Sequence, residues 1–183
     1  DHSALSCILN ILIAFVLIKF IVYPGLGFIF GTNYPLVAVV SGSMEHDENF
    51  DLWWKTQKDF YLERNISKDD FKEFQYKNGF NTGDIMVLFG SSPERIDIGD
   101  VIVFSTSTRP DPIIHRVVKV WTDNNEIFFQ TKGDHNPTIN TEVNEAKISK
   151  DRYLGKAVVR IPCLGWIKIG AVKFINAAKE LIF

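Results

Sequence analysis

A short serine-containing segment, Ser41-Gly42-Ser43-Met44, follows an apolar run over residues 36–40 that has the character of a strand. A serine hydroxyl is a poor nucleophile unless a neighbouring base takes its proton, and an adjacent glycine permits the tight turn that exposes the hydroxyl. Ser43 is therefore a candidate nucleophile. The same letters are also common in ordinary loops, so the segment alone does not establish this chemistry.

A base for such a serine is available in His115, which lies in the middle of the apolar segment 113–118 (IIHRVV). An imidazole titrates near neutral pH and can therefore accept a hydroxyl proton. The other histidines occupy less organised contexts: His2 at the terminus, His46 in a charged stretch and His135 in a turn. A lone histidine in a strand is more often a packed core or surface residue, and that interpretation stays open.

Two glycine-containing segments are further candidates. Residues 131–137 (TKGDHNP) end a strand in a turn, and Asp134 within them supplies a carboxylate that could orient an imidazole. The alternative is ordinary turn chemistry, since Gly-Asp followed by Asn-Pro is typical of turns. Residues 153–157 (YLGKA) begin a strand with a glycine, where another backbone or a ligand comes close.

Composition limits the classes of protein that can carry these residues. The chain has 183 residues, 46% of them hydrophobic and 13% aromatic. Its aromatic content excludes a disordered chain, and its hydrophobic content is too low for a polytopic membrane protein. Its 20 basic and 22 acidic residues argue against a nucleic-acid partner. Cys7 and Cys163 form neither a disulfide framework nor a metal-binding pattern, and nothing in the sequence calls for a metal or cofactor.

The first element that must position the candidate site is an apolar run over residues 4–23, whose only charge is Lys19. Twenty helical residues cover the hydrocarbon core of a bilayer, so the run predicts a membrane anchor. Lys19 lies near its end, where the side chain can reach the interface, and Pro24-Gly25 is expected to end the helix. The competing interpretation is a cleavable signal peptide, but the run is long for one and no clear A-x-A cleavage site follows.

Residues 45–78 interleave charged and aromatic side chains and predict a helical insertion. Ser67 followed three residues later by Asp70 resembles a capping box at a helix start. Two interpretations stand side by side: a lid or membrane-surface paddle, or a solvated helical pair packed on the domain.

The rest of the chain to residue 162 has the period of strands, predicted at 85–89, 101–105, 113–121, 126–131 and 154–161. They are short and bounded by turn residues, and Asp123-Asn124-Asn125 indicates a hairpin. We expect a mainly β fold over residues 36–162, a bent antiparallel sheet or barrel-like domain. Residues 163–183 place apolar side chains on one helical face and lysines opposite, which predicts an amphipathic helix that lies on the membrane or covers the sheet.

In this order, the segments resemble type I signal peptidases, specifically their archaeal and endoplasmic-reticulum branch. The similarity covers most of residues 36–162 and joins the N-terminal span to six segments. These are SGSM at 41–44, GDIMVLF at 83–89, GDVIVF at 99–104, IIHRVVKV at 113–120, FFQTKGDHN at 128–136 and YLGKAVVRIP at 153–162.

The resemblance implies a role for each matching residue. Ser43 matches the family's nucleophile and His115 the histidine base of this branch. Asp134 matches the aspartate of its K-G-D motif. Ser41 matches a position that adds a hydroxyl to an oxyanion hole otherwise built from the Ser43 N–H.

Two departures from the family pattern bear on these roles. His46 stands where proline is usual, which suggests a looser turn after the nucleophile. Asn140 stands where the family commonly has a second aspartate, and asparagine can accept a hydrogen bond from His115 without stabilising its charged form. Four alternatives follow: Asp134 supplies that charge, Glu142 reaches in, the chain is slow or inactive, or Asn140 is an engineered substitution.

The resulting hypothesis is a membrane-bound serine endopeptidase that removes signal peptides from translocated preproteins after small residues. It would be a single-pass protein of the cell membrane or the endoplasmic-reticulum membrane, with its catalytic domain on the extracytoplasmic side and with unknown accessory subunits. The alternative is a membrane-tethered relative that binds peptides without cutting them, supported by Asn140. A processing peptidase of different specificity is a third.

Overall fold

The computed structural model of the chain describes residues 2–166 and 169–170. Its N-terminal element is one continuous apolar helix, formed by α1 (His2–Leu17), a π-helical turn (Ile18–Val22) and α2 (Tyr23–Phe30). Of the helices in the described residues, only this one is long and apolar enough, over Leu5–Phe30, to cross a membrane. The predicted N-terminal apolar helix is confirmed. Its 26 residues rise about 39 Å, more than the roughly 30 Å of a bilayer core.

The helix does not end at Pro24, as the sequence suggested, but continues to Phe30. A proline inside a helix lacks an N–H and its ring clashes with the carbonyl four residues earlier. Here the turn before it is widened, since the Tyr23 N–H bonds to the Ile18 carbonyl, and Pro24 occupies the first turn of α2, where no N–H is needed. The helix ends instead at Gly31, whose φ of 66° closes it in the left-handed conformation.

Six antiparallel strands form a curled sheet, a half-barrel, in the order β1-β2-β6-β3-β4-β5. The mainly β prediction is confirmed, because each predicted strand is present within two residues of its expected bounds. The strands are β1 (Leu36–Ala38), β2 (Ile85–Phe89), β3 (Val101–Phe104), β4 (Ile113–Asp123), β5 (Glu126–Lys132) and β6 (Tyr153–Ile161).

The hairpin between β4 and β5 is closed by Asn124 and Asn125, with φ of 49° and 64°. Positive φ at both central residues is the geometry that matches the twist of paired strands, and asparagine tolerates it well. Asp123 pairs with Glu126 on either side. This confirms the predicted hairpin and fixes the register of β4, the strand that carries His115.

The insertion contains two short helices, α3 (Phe50–Leu62) and α4 (Lys68–Glu73). Both have side-chain caps at their N-termini: Asn49 accepts the Leu52 N–H, and Ser67 and Asp70 form the predicted capping box. Their buried side chains pack together and against Val118 of β4; the cluster comprises Trp53, Trp54, Tyr61, Ile66, Phe71 and Val118. The helices are therefore a pair packed on the sheet, the second of the two interpretations above.

Two further clusters fill the sheet. One lies along β1, β2, β3, β6 and the start of β4 and includes Met44, Met86, Leu88, Val101, Val103 and Ile114. The other comprises Ile96, Ile102, Phe104, Val117, Phe129 and Ile148. Strand β4 contributes to all three clusters, so its position is constrained from both faces.

The apolar helix ends directly against the sheet. The Gly90 N–H donates to the Phe30 carbonyl at 2.8 Å, and the rings of Phe30 and Phe89 lie 4.7 Å apart. The Thr32 hydroxyl then donates to the Leu154 carbonyl at 2.7 Å. The sheet is therefore held against the end of the helix by contacts to both β2 and β6.

After β6 the chain makes a turn over residues 162–165, where the Gly165 N–H bonds to the Gly83 carbonyl. The predicted amphipathic helix over residues 163–183 lies for the most part outside the described residues.

Candidate active site

The segment that carries Ser43 is a tight turn after β1. The Glu45 N–H donates to the Gly42 carbonyl at 3.0 Å, and Met44 is fully buried in the sheet. On the other side, the His135 N–H donates to the Ser43 carbonyl at 2.9 Å. The turn is thereby attached to both the core and the K-G-D segment, and the Ser43 side chain, half-buried, faces an open cleft.

His115 lies opposite this serine on β4. Its Nε2 is 2.9 Å from the Ser43 hydroxyl oxygen, within hydrogen-bond distance. Its other nitrogen, Nδ1, is 2.5 Å from Oε1 of Glu145. A carboxylate only accepts hydrogen bonds, so we assign the imidazole proton to Nδ1, which leaves the Nε2 lone pair toward Ser43. The structure thus brings together Ser43, His115 and Glu145.

Gly133 explains how the K-G-D segment comes so close to these two side chains. A β-carbon at this position would lie 2.7 Å from the Ser43 carbonyl oxygen and 2.8 Å from Nε2 of His115. Such distances are too short for any larger residue without displacing the backbone or the imidazole. The glycine is therefore required by the approach of three chain segments at the site.

The cleft at Ser43 has a volume of about 680 Å³ and extends between the turn that carries Ser43, the start of β4 and the loop before it. Its lining includes Ala38, Val40, Ser41, Arg109, Ile113 and Val143. The Ser41 hydroxyl is 3.3 Å from that of Ser43, and no acceptor in the described residues pairs with the Ser43 N–H. Two donors thus lie beside the Ser43 hydroxyl.

Within residues 2–166 and 169–170, no three His, Cys, Asp or Glu side chains converge as a metal ion requires.

The Asn140 side chain makes no hydrogen bond to His115. Its side-chain oxygen instead accepts the Glu142 N–H at 2.9 Å and caps a short 3₁₀ turn, Thr141–Val143. Its own N–H donates to Oε2 of Glu145 at 3.0 Å. Glu142 is exposed, so it does not reach the imidazole either. The carboxylate at His115 comes from Glu145. Glu145 was not predicted from the sequence, because nothing there distinguishes it from other acidic residues in the loop before β6.

The sequence of the chain was compared with those of known proteins to find the family to which it belongs. No family model matches the chain. The signal peptidase complex catalytic subunit sec11 of Schizosaccharomyces pombe is 32% identical over 173 residues, which cover 92% of this chain and 82% of the relative. The chain belongs to the SEC11 family of signal peptidase catalytic subunits. This confirms the resemblance drawn from the motifs.

Two other SEC11 proteins extend the comparison. SEC11 of Komagataella phaffii is 29% identical over 159 residues, 82% of this chain and 74% of the relative. The SEC11C protein of Homo sapiens is 28% identical over 152 residues, 81% of this chain and 62% of the relative. Both are named as signal peptidase complex catalytic subunits.

Asp134 of this SEC11-family chain lies beside the site but does not bond to His115. Arg116 donates to both of its carboxylate oxygens, at 2.9 and 2.7 Å. The Tyr61 hydroxyl donates to Oδ1 at 3.1 Å, and His46 Nε2 lies 3.1 Å from Oδ2. Burial disfavours the charge of Asp134, but Arg116 and the hydrogen bond from His46 outweigh it and hold the pKa of this carboxyl well below its usual range.

His46, at the position where the family resemblance led us to expect proline, links the turn that carries Ser43 to the insertion. Its ring stacks on Trp53 with 3.8 Å between centroids, while its Nε2 faces Asp134. The Trp53 indole N–H in turn donates to the Asp134 carbonyl at 3.2 Å. The turn after Ser43 is therefore held by specific contacts and is not the looser turn that the missing proline suggested.

Proposed function

We propose that this chain is a membrane-bound serine endopeptidase that cleaves signal peptides from translocated preproteins. Ser43 is the nucleophile and His115 the general base. The observation that carries the proposal is the 2.9 Å contact between the Ser43 hydroxyl and Nε2 of His115, at an open cleft in a SEC11-family chain. A serine beside a base whose other nitrogen is bonded to a third group is the arrangement that nucleophilic catalysis requires.

The reaction follows from the positions of these atoms. His115 takes the Ser43 proton on Nε2 as the serine oxygen attacks the scissile carbonyl carbon. The oxyanion that forms is stabilised by the Ser43 N–H and the Ser41 hydroxyl. His115 then gives its proton to the departing amine as the peptide C–N bond breaks and an acyl-enzyme remains. A water molecule then attacks the ester carbonyl carbon as the same imidazole takes its proton. His115 returns this proton to the Ser43 oxygen as the acyl C–O bond breaks, which frees Ser43 and the new carboxyl end.

The shape of the cleft favours an extended substrate. Strand β1 is at an edge of the sheet, and its continuation, Val40, is 51% exposed and lines the cleft. An extended peptide can add a strand to such an edge, with alternate side chains entering the cleft. The apolar lining by Ala38, Ile113 and Val143 suits the small side chains of an A-x-A site.

The proposal includes a location. The Leu5–Phe30 helix would anchor the protein in the endoplasmic-reticulum membrane or the cell membrane, with the sheet on the extracytoplasmic side. The relatives are named as subunits of a signal peptidase complex, and we propose that this chain also assembles with accessory subunits. Membrane attachment raises the effective concentration of substrates whose own apolar segment lies in the same bilayer.

The alternative, a peptide-binding relative without activity, depended on the missing carboxylate at position 140. Glu145 supplies a carboxylate at His115, so this argument no longer favours an inactive chain.

Cleavage of a preprotein with an A-x-A site by the detergent-solubilised full chain tests the proposal. We expect cleavage after the small residue by the wild type and its loss in Ser43→Ala and His115→Ala. Ser92→Ala is the matched control, because Ser92 is exposed and makes no capping hydrogen bond. Cleavage by Ser43→Ala at the wild-type rate would show that Ser43 is not the nucleophile, and binding without cleavage by the wild type would favour the peptide-binding alternative.

A further inference from the structure

The side of His115 that faces away from Ser43 is closed by one carboxylate. Oε1 of Glu145 lies 2.5 Å from Nδ1 of His115. The Glu145 side chain is 0% exposed and the His115 side chain 6% exposed. Glu145 follows His115 by 30 residues and comes from a loop, whereas His115 lies on β4. Two buried ionisable groups from distant segments, bonded at this distance, require an explanation because burying a carboxylate is costly unless it is well partnered.

Glu145 is held by its backbone as well as by its side chain. Oε2 accepts the Asn140 N–H at 3.0 Å, so both carboxylate oxygens are bonded. The Glu145 carbonyl accepts the Thr131 N–H at 3.1 Å, which attaches the residue to β5 beside His115. The carboxylate is therefore fixed in place before any proton is transferred at the imidazole.

The loop that carries Glu145 is itself fixed from two sides. The Asn140 side chain caps its 3₁₀ turn, and the Arg152 guanidinium donates to the Asn144 and Val143 carbonyls at 2.9 and 2.8 Å. Asn144 adopts a φ of 52°, which reverses the chain just before Glu145. These contacts direct the Glu145 side chain inward, away from the exposed Glu142 on the same loop.

The other charged groups near His115 are bonded elsewhere. Asp134 is bonded to Arg116, Tyr61 and His46. Lys132 is the neighbouring cation; its amine bonds to Gln57 and to the carbonyls of Gly133 and Asp134. Among the described residues, Glu145 is the carboxylate bonded to His115.

We propose that Glu145 is the positioning residue for His115. It holds the imidazole with its proton on Nδ1 and stabilises the positive charge that forms when Nε2 takes the Ser43 proton. The inference rests on the proposed function for its kinetic consequences, but its geometric content can be tested without any substrate.

The kinetic test replaces the carboxylate by the isosteric amide in Glu145→Gln. The amide can still bond to Nδ1 but carries no charge, so we expect kcat to fall about 10²- to 10⁴-fold with KM changed less than threefold. Glu142→Gln, the same change on the same loop at an exposed site, is the control and is expected to leave both constants unchanged. A wild-type kcat in Glu145→Gln, or a tenfold rise in kcat in Asn140→Asp without any effect of Glu145→Gln, would overturn the proposal.

The second test is the NMR spectrum of the full chain in detergent, labelled with ¹⁵N-histidine. A proton in a short hydrogen bond from imidazole Nδ1 to a carboxylate resonates far downfield. We expect such a signal in the wild type and in Ser43→Ala, and its loss in Glu145→Gln and His115→Gln. A folded wild type without this signal would overturn the inference even if cleavage is normal. The signal without any cleavage would leave it standing and count against the proposed function alone.

Discussion

The Arg116 guanidinium and the Asp134 carboxylate form a doubly hydrogen-bonded ion pair from which water is excluded. The two bonds are 2.9 and 2.7 Å long, and neither side chain has any exposed surface. Arg116 immediately follows His115, and Asp134 precedes the residue whose N–H holds the Ser43 carbonyl. The pair therefore fixes the two segments that flank the candidate site, and its contribution is to stability and position.

Asp134→Asn is expected to lower the free energy of unfolding by about 3–5 kcal/mol, because it leaves the Arg116 charge buried without its partner. Urea denaturation of the detergent-solubilised protein near pH 7 measures this. Asp69→Asn is the matched control: it breaks an exposed pair with Lys72, which water screens, and should lower the free energy of unfolding far less. Equal effects of the two substitutions would contradict the role given to the buried pair.

Because of Lys132, we expect the free energy of unfolding to increase with pH in alkaline solution. Burial of its amine lowers the pKa of Lys132 from 10.5 to about 8, although the negative charges of Asp134 and Glu145 raise it in part. Below pH 8 both folded and unfolded chains carry the proton; between pH 8 and 10.5 the folded chain releases it first. The unfolded chain then binds more protons, so the free energy of unfolding increases with pH in this window, by on the order of 3 kcal/mol.

This pH dependence is measured as the difference in unfolding free energy between the wild type and Lys132→Met at pH 7, 8, 9 and 10. The wild type should gain on the variant as the pH rises. Lys147→Met, at a half-exposed lysine, serves as the control and should show no such trend. A difference that stays constant from pH 7 to 10 would show that the Lys132 amine has an ordinary pKa.

Gly133→Ala is expected to reduce kcat/KM for preprotein cleavage at least tenfold. The added methyl group would overlap the Ser43 carbonyl and the His115 ring, so one of them must move by a few tenths of an ångström or more. The overpacking should also cost about 1–3 kcal/mol of stability. Gly25→Ala is the control, since the added methyl group would meet nothing within 4 Å beyond its chain neighbours and the adjacent turns of its own helix. Full activity in Gly133→Ala would mean that the three segments are less closely packed than described.

Ser67→Ala removes the cap of α4 and should lower the free energy of unfolding by about 1 kcal/mol. The Ser67 hydroxyl accepts the Asp70 N–H at 3.2 Å and donates to the Asp70 carboxylate at 2.6 Å. Ser92 also precedes a short helical turn but makes no capping bond, so Ser92→Ala should change the stability much less. Chemical denaturation of both variants distinguishes the cap from a general effect of losing a hydroxyl.

Features set by neighbouring residues were predictable from the sequence. The strands follow from short β-branched runs between turn residues, the hairpin from Asn124 and Asn125, and the start of α4 from Ser67 and Asp70. Each depends on contacts within a few residues. The motifs also pointed to Ser43 and His115, which the structure places within hydrogen-bond distance.

Features that depend on distant contacts were not predictable. Glu145 reaches His115 only because a 3₁₀ turn and Arg152 direct its loop inward, and no local pattern distinguishes it from Glu142. Asp134 bonds to Arg116 because β4 and β5 pair in one register, with Arg116 opposite Lys132. The helix passes Pro24 because one widened turn removes the clash that normally stops it.

The dispersal of the site along the chain has a consequence for its biosynthesis. Its parts leave the ribosome in the order Ser43, the insertion, His115, Asp134 and finally Glu145, and the contacts of Asp134 with Tyr61, His46 and Arg116 join the earlier parts to the later ones. A nascent chain that has not yet extended past Glu145 lacks the assembled site. On the proposed function, the growing polypeptide cannot attack its own apolar N-terminal helix, the segment of this protein most like its substrates, until Glu145 has been added and has reached His115.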